Sequence, residues 1–377
     1  MKRWLWVFPT VLLALPPVGS GMEVKVLKNA IVNDKIVDAV SPGGLAVTRD
    51  GDYLATFSDH GDVSPGCRSY LVRSRDQGTT WEEPEQVFGP DNEREGVTVV
   101  LHNLPDGEIM LGTERFTHDG VDRKAVFRAR TSQLELFRMD ENGKFVPLQK
   151  LNTPAGSAFT FTGSVVELPN GDWVLPAYGY PKTGTVPGAL YGSGFFRSRD
   201  RGASWGDFEL AFRDEPPAGE AAYDFNESGF FVKPDGTLVA LARIDSRKVN
   251  KLWRTESTDN GKTWSKPVET AIGGIYPVVM PLEGGGYLLA CGNREARPIP
   301  RSVNFFYSAD GDNFEYIGMP FYSRTDGKPY NSATGGLQRL IPGPEKDQVY
   351  VVFYAFDPQL PGYDQTYVDG NLIEIVR

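Results

Sequence analysis

Cysteine and histidine are almost missing from this chain, whose 377 residues hold two Cys and three His. Cys67 and Cys291 lie far apart, and one isolated pair is no disulfide framework, so two unpaired, half-buried thiols are expected. Basic charge is short too. Lys and Arg number 39 against 49 Asp and Glu, a formal net charge of −10 that argues against nucleic acid or an anionic membrane as partner. Beyond the N-terminus no run is long and apolar enough to cross a bilayer. There is no phosphate loop, no dinucleotide fingerprint and no calcium-loop ligand spacing, so no cofactor and no metal are expected.

What is present begins with Met-Lys-Arg, an apolar run from Trp4 to Leu15, and a small-residue exit at Pro16–Gly21. That pattern reads as a secretory signal peptide over 1–21, and no Cys follows it to carry a lipid. The expectation is an exported protein, periplasmic or extracellular, soluble once the leader is removed. The oligomeric state stays open.

An eight-residue turn then recurs. It is written Ser257-Thr258-Asp259-Asn260-Gly261-Lys262-Thr263-Trp264, again from Ser74 to Trp81, again from Ser198 to Trp205, and one residue shorter from Ser308 to Phe314. Asp can accept backbone N–H groups of its own turn, and Gly supplies a conformation closed to other residues. The Trp is large enough to be buried between structural units. The turn is assigned structure and no chemistry. Asp140–Phe145 reads as a degraded copy.

Between these boxes lie apolar hairpins with Gly-containing turns at Gly51, Asp106-Gly107, Asn170-Gly171, Asp235-Gly236 and Gly284–Gly286, and a looser one at Pro342–Glu345. Their spacing averages about 59 residues, which fits four strands per repeat. Six hairpins predict an all-β, six-bladed β-propeller over 22–377 as a single domain, with Glu23–Leu27 closing the last blade. The box turns and first hairpin turns are tight and share one face of the disc. The long connections share the other, where a site is expected.

Residues equidistant from a hairpin turn face each other across strands at the open, long-loop end. This pairs Glu227 with Arg243 about Asp235, and Tyr276 with Arg294 about Gly285. It also places Tyr178, Glu114 and Arg115 at the rim, Ser41 against Asp59 with His60 and Asp62 beyond, and Gly335 or Gly336 against Tyr354 with Tyr330 upstream. Singly, each is an ordinary solvated rim group; together they are an unusual set for one axis.

Repeated Ser-x-Asp-x-Gly-x-x-Trp boxes on a six-bladed propeller resemble the sialidase superfamily, also called BNR or Asp-box proteins, over nearly the whole mature chain. Gly163–Tyr178 resembles that family's third blade and Asn226–Arg243 its fourth. The resemblance implies three Arg holding a sugar carboxylate, a Tyr nucleophile assisted by a Glu, and an Asp as acid/base. Carried over, Glu227 assists the Tyr, and Arg243 with Arg294 or Arg301 binds the carboxylate. Asp59 or Asp62 is the acid/base, and Tyr330 is the first candidate nucleophile with Tyr276 the second. The family's Arg-Ile-Pro entry to blade one reads Ser41-Pro42-Gly43 here, so Ser41 stands for the first Arg, with Arg115 on another blade the candidate replacement. A guanidinium fork suits a carboxylate, and a Tyr needs a neighbouring base before it attacks.

The implied function is a sialidase-like glycoside hydrolase acting on an acidic glycan or small acidic sugar. Two alternatives stand beside it. One is a polysaccharide lyase in which Arg neutralises a uronate while His60, His118 or a Tyr removes a proton; the other is a glycan-binding propeller without turnover.

Overall fold

The computed structural model describes residues 21–36, 41–60, 64–121, 130–153, 157–181, 192–212, 224–244, 251–293, 302–321, 338–356 and 366–377. Residues 1–20 of the expected leader lie outside these. Among the described residues no helix is long and apolar enough to cross a membrane.

The period seen in the sequence is the period of the fold. Six antiparallel sheets form six blades. Blade one holds β2 (Ser41–Val47), β3 (Tyr53–Ser58), β4 (Ser69–Ser74) and β5 (Glu85–Phe88), and blade two holds β6 (Glu95–Asn103), β7 (Ile109–His118), β8 (Arg130–Met139) and β9 (Phe145–Lys150). In blade three the inner strand is split into β10 (Ser157–Phe161) and β11 (Val166–Glu167), followed by β12 (Trp173–Pro181), β13 (Gly192–Ser198) and β14 (Phe208–Leu210). Blade four is β15 (Phe225–Val232), β16 (Leu238–Ile244), β17 (Lys251–Ser257) and β18 (Val268–Gly273). Blade five is β19 (Ile275–Pro281), β20 (Tyr287–Gly292), β21 (Val303–Ser308) and β22 (Glu315–Gly318). Blade six joins both chain ends: β23 (Arg339–Pro342), β24 (Gln348–Phe356) and β25 (Thr366–Val376) accept β1 (Glu23–Asn33) as outer strand, longer than the Glu23–Leu27 expected.

Six apolar clusters sit between neighbouring blades. Leu54 of blade one meets Val99 and Leu111 of blade two, and Phe353 of blade six meets Phe305 of blade five. Second strands therefore bury both faces, as Leu288 and Leu289 do by joining different clusters. That is why Leu238–Ile244 and Tyr287–Gly292 read as unbroken apolar runs rather than alternating ones. At the axis β2 and β6 touch backbone to backbone, since a Cβ on Gly43 would stand 1.9 Å from the Val99 carbonyl oxygen.

The box turns close the third strand onto the fourth. Asp76 accepts the N–H groups of Thr79 and Thr80 at 3.0 and 2.8 Å, and Ser74 Oγ accepts that of Gly78 at 2.8 Å. Gln77 and Gly78 both take positive φ, +54° and +80°, and a Cβ on Gly78 would strike the Tyr350 ring. Asp200 and Asp259 repeat the arrangement through Ser204 N–H and through Lys262 and Thr263 N–H. Burial of the box Trp departs from expectation. Trp205 is buried, whereas Trp81 and Trp264 are half-exposed, one face against Tyr350 and against Phe195 and Phe230 respectively. The turn lies on the disc surface, so depth depends on the neighbouring blade's side chain. The two thiols are unpaired and fully buried, rather than half-buried, and burial raises both to about 12.

Candidate functional site

Innermost strands begin, and second strands end, on the face opposite the hairpin turns, so charged groups at those ends converge near the axis. In blade four the ladder runs regularly from Val232–Leu238 to Ser228–Ala242 and then skips one residue before Phe225–Ile244. Asn226 and Glu227 thus share the bulge opposite Arg243, and Arg243 Nη1 donates to Glu227 Oε1 at 3.1 Å. Both side chains are nearly buried, 9% exposed for Arg243 and 14% for Glu227.

Blade five carries the same defect. Its ladder skips between Val278–Ala290 and Ile275–Gly292, so Tyr276 and Pro277 stand opposite Cys291, and Tyr276 is not the partner of Arg294 that symmetric counting gives. Arg294 itself lies outside the described residues. The bulge puts Tyr276 at φ +51°, a costly conformation for an aromatic residue. Two side chains hold it there. Glu227 Oε2 accepts the Tyr276 N–H at 3.1 Å, and Gln338 Nε2 donates to the Tyr276 carbonyl at 2.6 Å and to that of Ala290 at 3.0 Å.

Blade six adds a group that sequence counting did not select. The Arg339 guanidinium carbon lies 4.5 Å from the Tyr276 ring centroid, and its Nε donates to the Gly43 carbonyl of blade one at 3.0 Å. Blade two contributes Glu114, 3% exposed, which accepts from Thr98 Oγ1 at 2.8 Å and from the N–H of Phe161 in blade three. Tyr276 senses all of them. Burial raises its phenol to about 12; Arg339 opposes that rise, while the carboxylates of Glu114 and Glu227 add to it. His102 is buried beneath the same centre and is lowered to about 3 by burial and by Arg339.

The remaining candidates are placed differently. Asp59 follows β3, is 6% exposed and is bonded by His60, Arg68 and Tyr70 of its own blade. Ser41 pairs with Ser58 in the ladder, one residue short of Asp59, because β2 is bulged at Gly43. Arg115 is turned to its own blade, Nη1 donating to Glu95 at 2.9 Å with Asp91 at 3.2 Å. Tyr178 is half-buried on β12, opposite Thr160 and Ser193. Tyr330, Asp62 and Arg301 lie outside the described residues, as does the Gly335–Gly336 position.

The described centre therefore unites Glu227, Arg243 and Tyr276 with Arg339 and Glu114, drawing on blades two, four, five and six. Such a set can hold an anion between guanidinium groups and set a carboxylate against a hydroxyl in a dry surrounding.

Comparison with known proteins agrees with this architecture. The family model described as a BNR repeat-like domain matches residues 72–315. No curated protein matches the chain. Among solved structures, a protein of unknown function from Dyadobacter fermentans superposes with a TM-score of 0.68 at 17% identity, covering 94% of this chain and 99% of that one. A Hadza microbial sialidase gives 0.62 at 16%, covering 89% of this chain and 65% of that one. An α-L-arabinanase from Penicillium chrysogenum, solved with arabinobiose, gives 0.63 at 13%, covering 93% and 98%. At such identities the likeness is one of fold.

Proposed function

The chain belongs to the BNR repeat-like domain family, and from that premise we propose that it is an exported glycoside hydrolase of sialidase type acting on an acidic sugar at the propeller axis. The observation that carries the reading is the convergence of Arg243 and Arg339 with Glu227 around Tyr276. Arg339 reaches the β2 backbone two residues beyond Ser41, the position that stands in place of the family's first Arg. A guanidinium from blade six thus serves where blade one lacks one, and Arg115, paired with Glu95, is not needed for it. Arg294 or Arg301 supplies the third guanidinium of the carboxylate clamp.

Glu227 is the base that draws the proton from a tyrosine hydroxyl, with Tyr330 the first nucleophile and Tyr276 the second. A buried phenol pushed to about 12 is neutral at ordinary pH, so it attacks only with such a base beside it. The proton for the departing oxygen comes from the blade-one side, for which Asp59 and Asp62 are the candidates read from the sequence.

The test is a substrate panel: α-linked sialosides, uronides and arabinosides, followed by release of the aglycone and by ultraviolet absorbance for an unsaturated product. Release from an acidic glycoside supports the reading. Cleavage of arabinosides alone removes the acidic-sugar assignment, an unsaturated product replaces hydrolysis by elimination, and tight binding without turnover leaves a glycan-binding propeller.

A further inference from the structure

Strand β3 ends at Ser58 on the face where Glu227, Arg243 and Arg339 converge, and the two residues after it form an acid–imidazole pair. Asp59 Oδ1 accepts the Arg68 N–H at 2.8 Å and stands 2.7 Å from His60 Nδ1. Its Oδ2 accepts the Tyr70 hydroxyl at 3.4 Å, with Arg68 Nη1 at 3.7 Å. The Asp59 N–H in turn donates to the Arg68 carbonyl at 3.1 Å, which pins the residue from both sides. Burial alone would raise this carboxyl, but the bonds from His60 and Arg68 outweigh it and hold it below its ordinary value.

An ionised carboxylate with both oxygens occupied has no proton to give. The hydrogen between the pair therefore belongs to His60 Nδ1, and in the neutral ring the lone pair belongs to Nε2, on the side of the ring away from Asp59. The His60 side chain is 26% exposed against 9% for Asp59, so of the pair the imidazole is the more accessible group.

We propose that His60 Nε2 is the atom that transfers the proton on the blade-one side of the site, and that Asp59 is its positioning residue rather than an acid/base itself. The assignment rests on the hydrolase reading above. As the glycosidic C–O bond breaks, its electron pair goes to the leaving oxygen, which takes the proton from Nε2 of the imidazolium; Asp59 stabilises that cation. The anomeric carbon meanwhile bonds to the tyrosine oxygen, whose proton passes to Glu227; water then displaces that oxygen and gives a proton to Nε2 while Glu227 returns the tyrosine proton, so one water is consumed per bond cleaved.

The chain has three histidines, of which His102 and His118 are buried, so the ring nitrogens can be resolved in one experiment. Long-range 1H–15N spectra of the full protein, assigned with His60→Gln, should show neutral His60 protonated at Nδ1, and Asp59→Ala should abolish that preference. A wild-type ring protonated at Nε2 overturns the proposal without touching the hydrolase reading. On a cleaved substrate, His60→Ala should lower kcat/KM by about 10²–10⁴-fold for an alcohol leaving group. It should do so far less for a nitrophenol, which departs without protonation, and added imidazole should restore part of the loss. Equal losses for both leaving groups would assign His60 a structural role and overturn the proposal. Absence of turnover on every substrate would remove the hydrolase reading and the proton role together, leaving the tautomer result standing.

Discussion

Glu227 ties two blades together, its Oε2 accepting the Tyr276 N–H at 3.1 Å while its Oε1 takes the Arg243 guanidinium at 3.1 Å. The β19 bulge withdraws the Tyr276 N–H from the ladder, and a buried donor without a partner costs about 1–3 kcal/mol. A carboxylate from the next blade meets that need and also orients the cation of its own blade. Geometry and charge are separable here.

Glu227→Gln separates them. The amide oxygen can still accept the Tyr276 N–H, but the negative charge beside Arg243 and the proton acceptor are gone. Turnover should fall by about 10²–10⁴-fold with substrate affinity largely kept. If activity per folded molecule is unchanged while the melting temperature drops, the pair is a structural seal and not part of the chemistry. Glu227→Ala removes the carboxylate that both groups bond, and should destabilise by about 3–5 kcal/mol in denaturant unfolding.

Arg339→Met keeps bulk against the Tyr276 ring and removes the charge. Loss of a charged hydrogen-bond partner is worth about 1.5–3 kcal/mol, roughly 10–150-fold in affinity. That loss should appear for an acidic sugar and not for its neutral, reduced analogue. Calorimetric titration with both decides it, and equal loss for the two would mean that Arg339 shapes the pocket without reading the carboxylate.

How much of this was legible in the chain depended on whether the signal was periodic. The boxes and Gly turns recur, so the six blades and the closure by the N-terminal strand followed from them. The Glu227–Arg243 contact was reachable because the β15–β16 ladder is regular from the turn as far as Ser228. Bulges are not periodic. In blade five the hairpin is centred on Gly284 rather than Gly285 and β19 carries one extra residue, which together put Tyr276 opposite Cys291, while one extra residue in β2 moved Ser41 to Ser58. Arg339 escaped for a different reason: it opens a short strand only a few residues before its turn, where counting to the open end passes over it. A charged residue at the head of the apolar run Leu340-Ile341 was the available hint. Box Trp burial was overestimated because the sequence shows the turn but not the side chain that covers it.

The box tryptophans should therefore differ in weight. Trp205→Ala removes a buried indole and should cost about 3–5 kcal/mol. Trp264→Ala, half-exposed between Phe195 and Phe230, should cost about 1–2 kcal/mol. Urea unfolding of the two variants checks the order. A larger loss at Trp264 would contradict the packing described.

The box aspartates set the acid limit of the fold. Desolvation is the largest single influence on Asp76 and pushes it up, but bonds from Thr80, Ser74 and Thr79 together prevail and bring it to about 2; Asp310 is brought to about 2 by the Asp312 N–H, Ser308 and the Asn313 N–H. Asp200 and Asp259 are lowered in the same way, chiefly by Ser204 and Thr263. Each folded-state value lies below the unfolded one of about 3.9, so each contributes stability that is complete above that pH and is lost as pH falls through its folded value, about 2 for Asp76 and Asp310. The folded state releases these protons more readily than the unfolded chain, so acid favours unfolding. Wild-type melting temperature should then drop steeply between pH 4 and pH 2, a window set by the shifted values of Asp76 and Asp310. A variant carrying Asp76→Asn, Asp259→Asn and Asp310→Asn should be less stable than wild type at pH 7 but much flatter across that window, the two curves converging at its acid end. Parallel curves would show that the box carboxylates hold their turns by shape alone, and that the acid sensitivity resides elsewhere in the propeller.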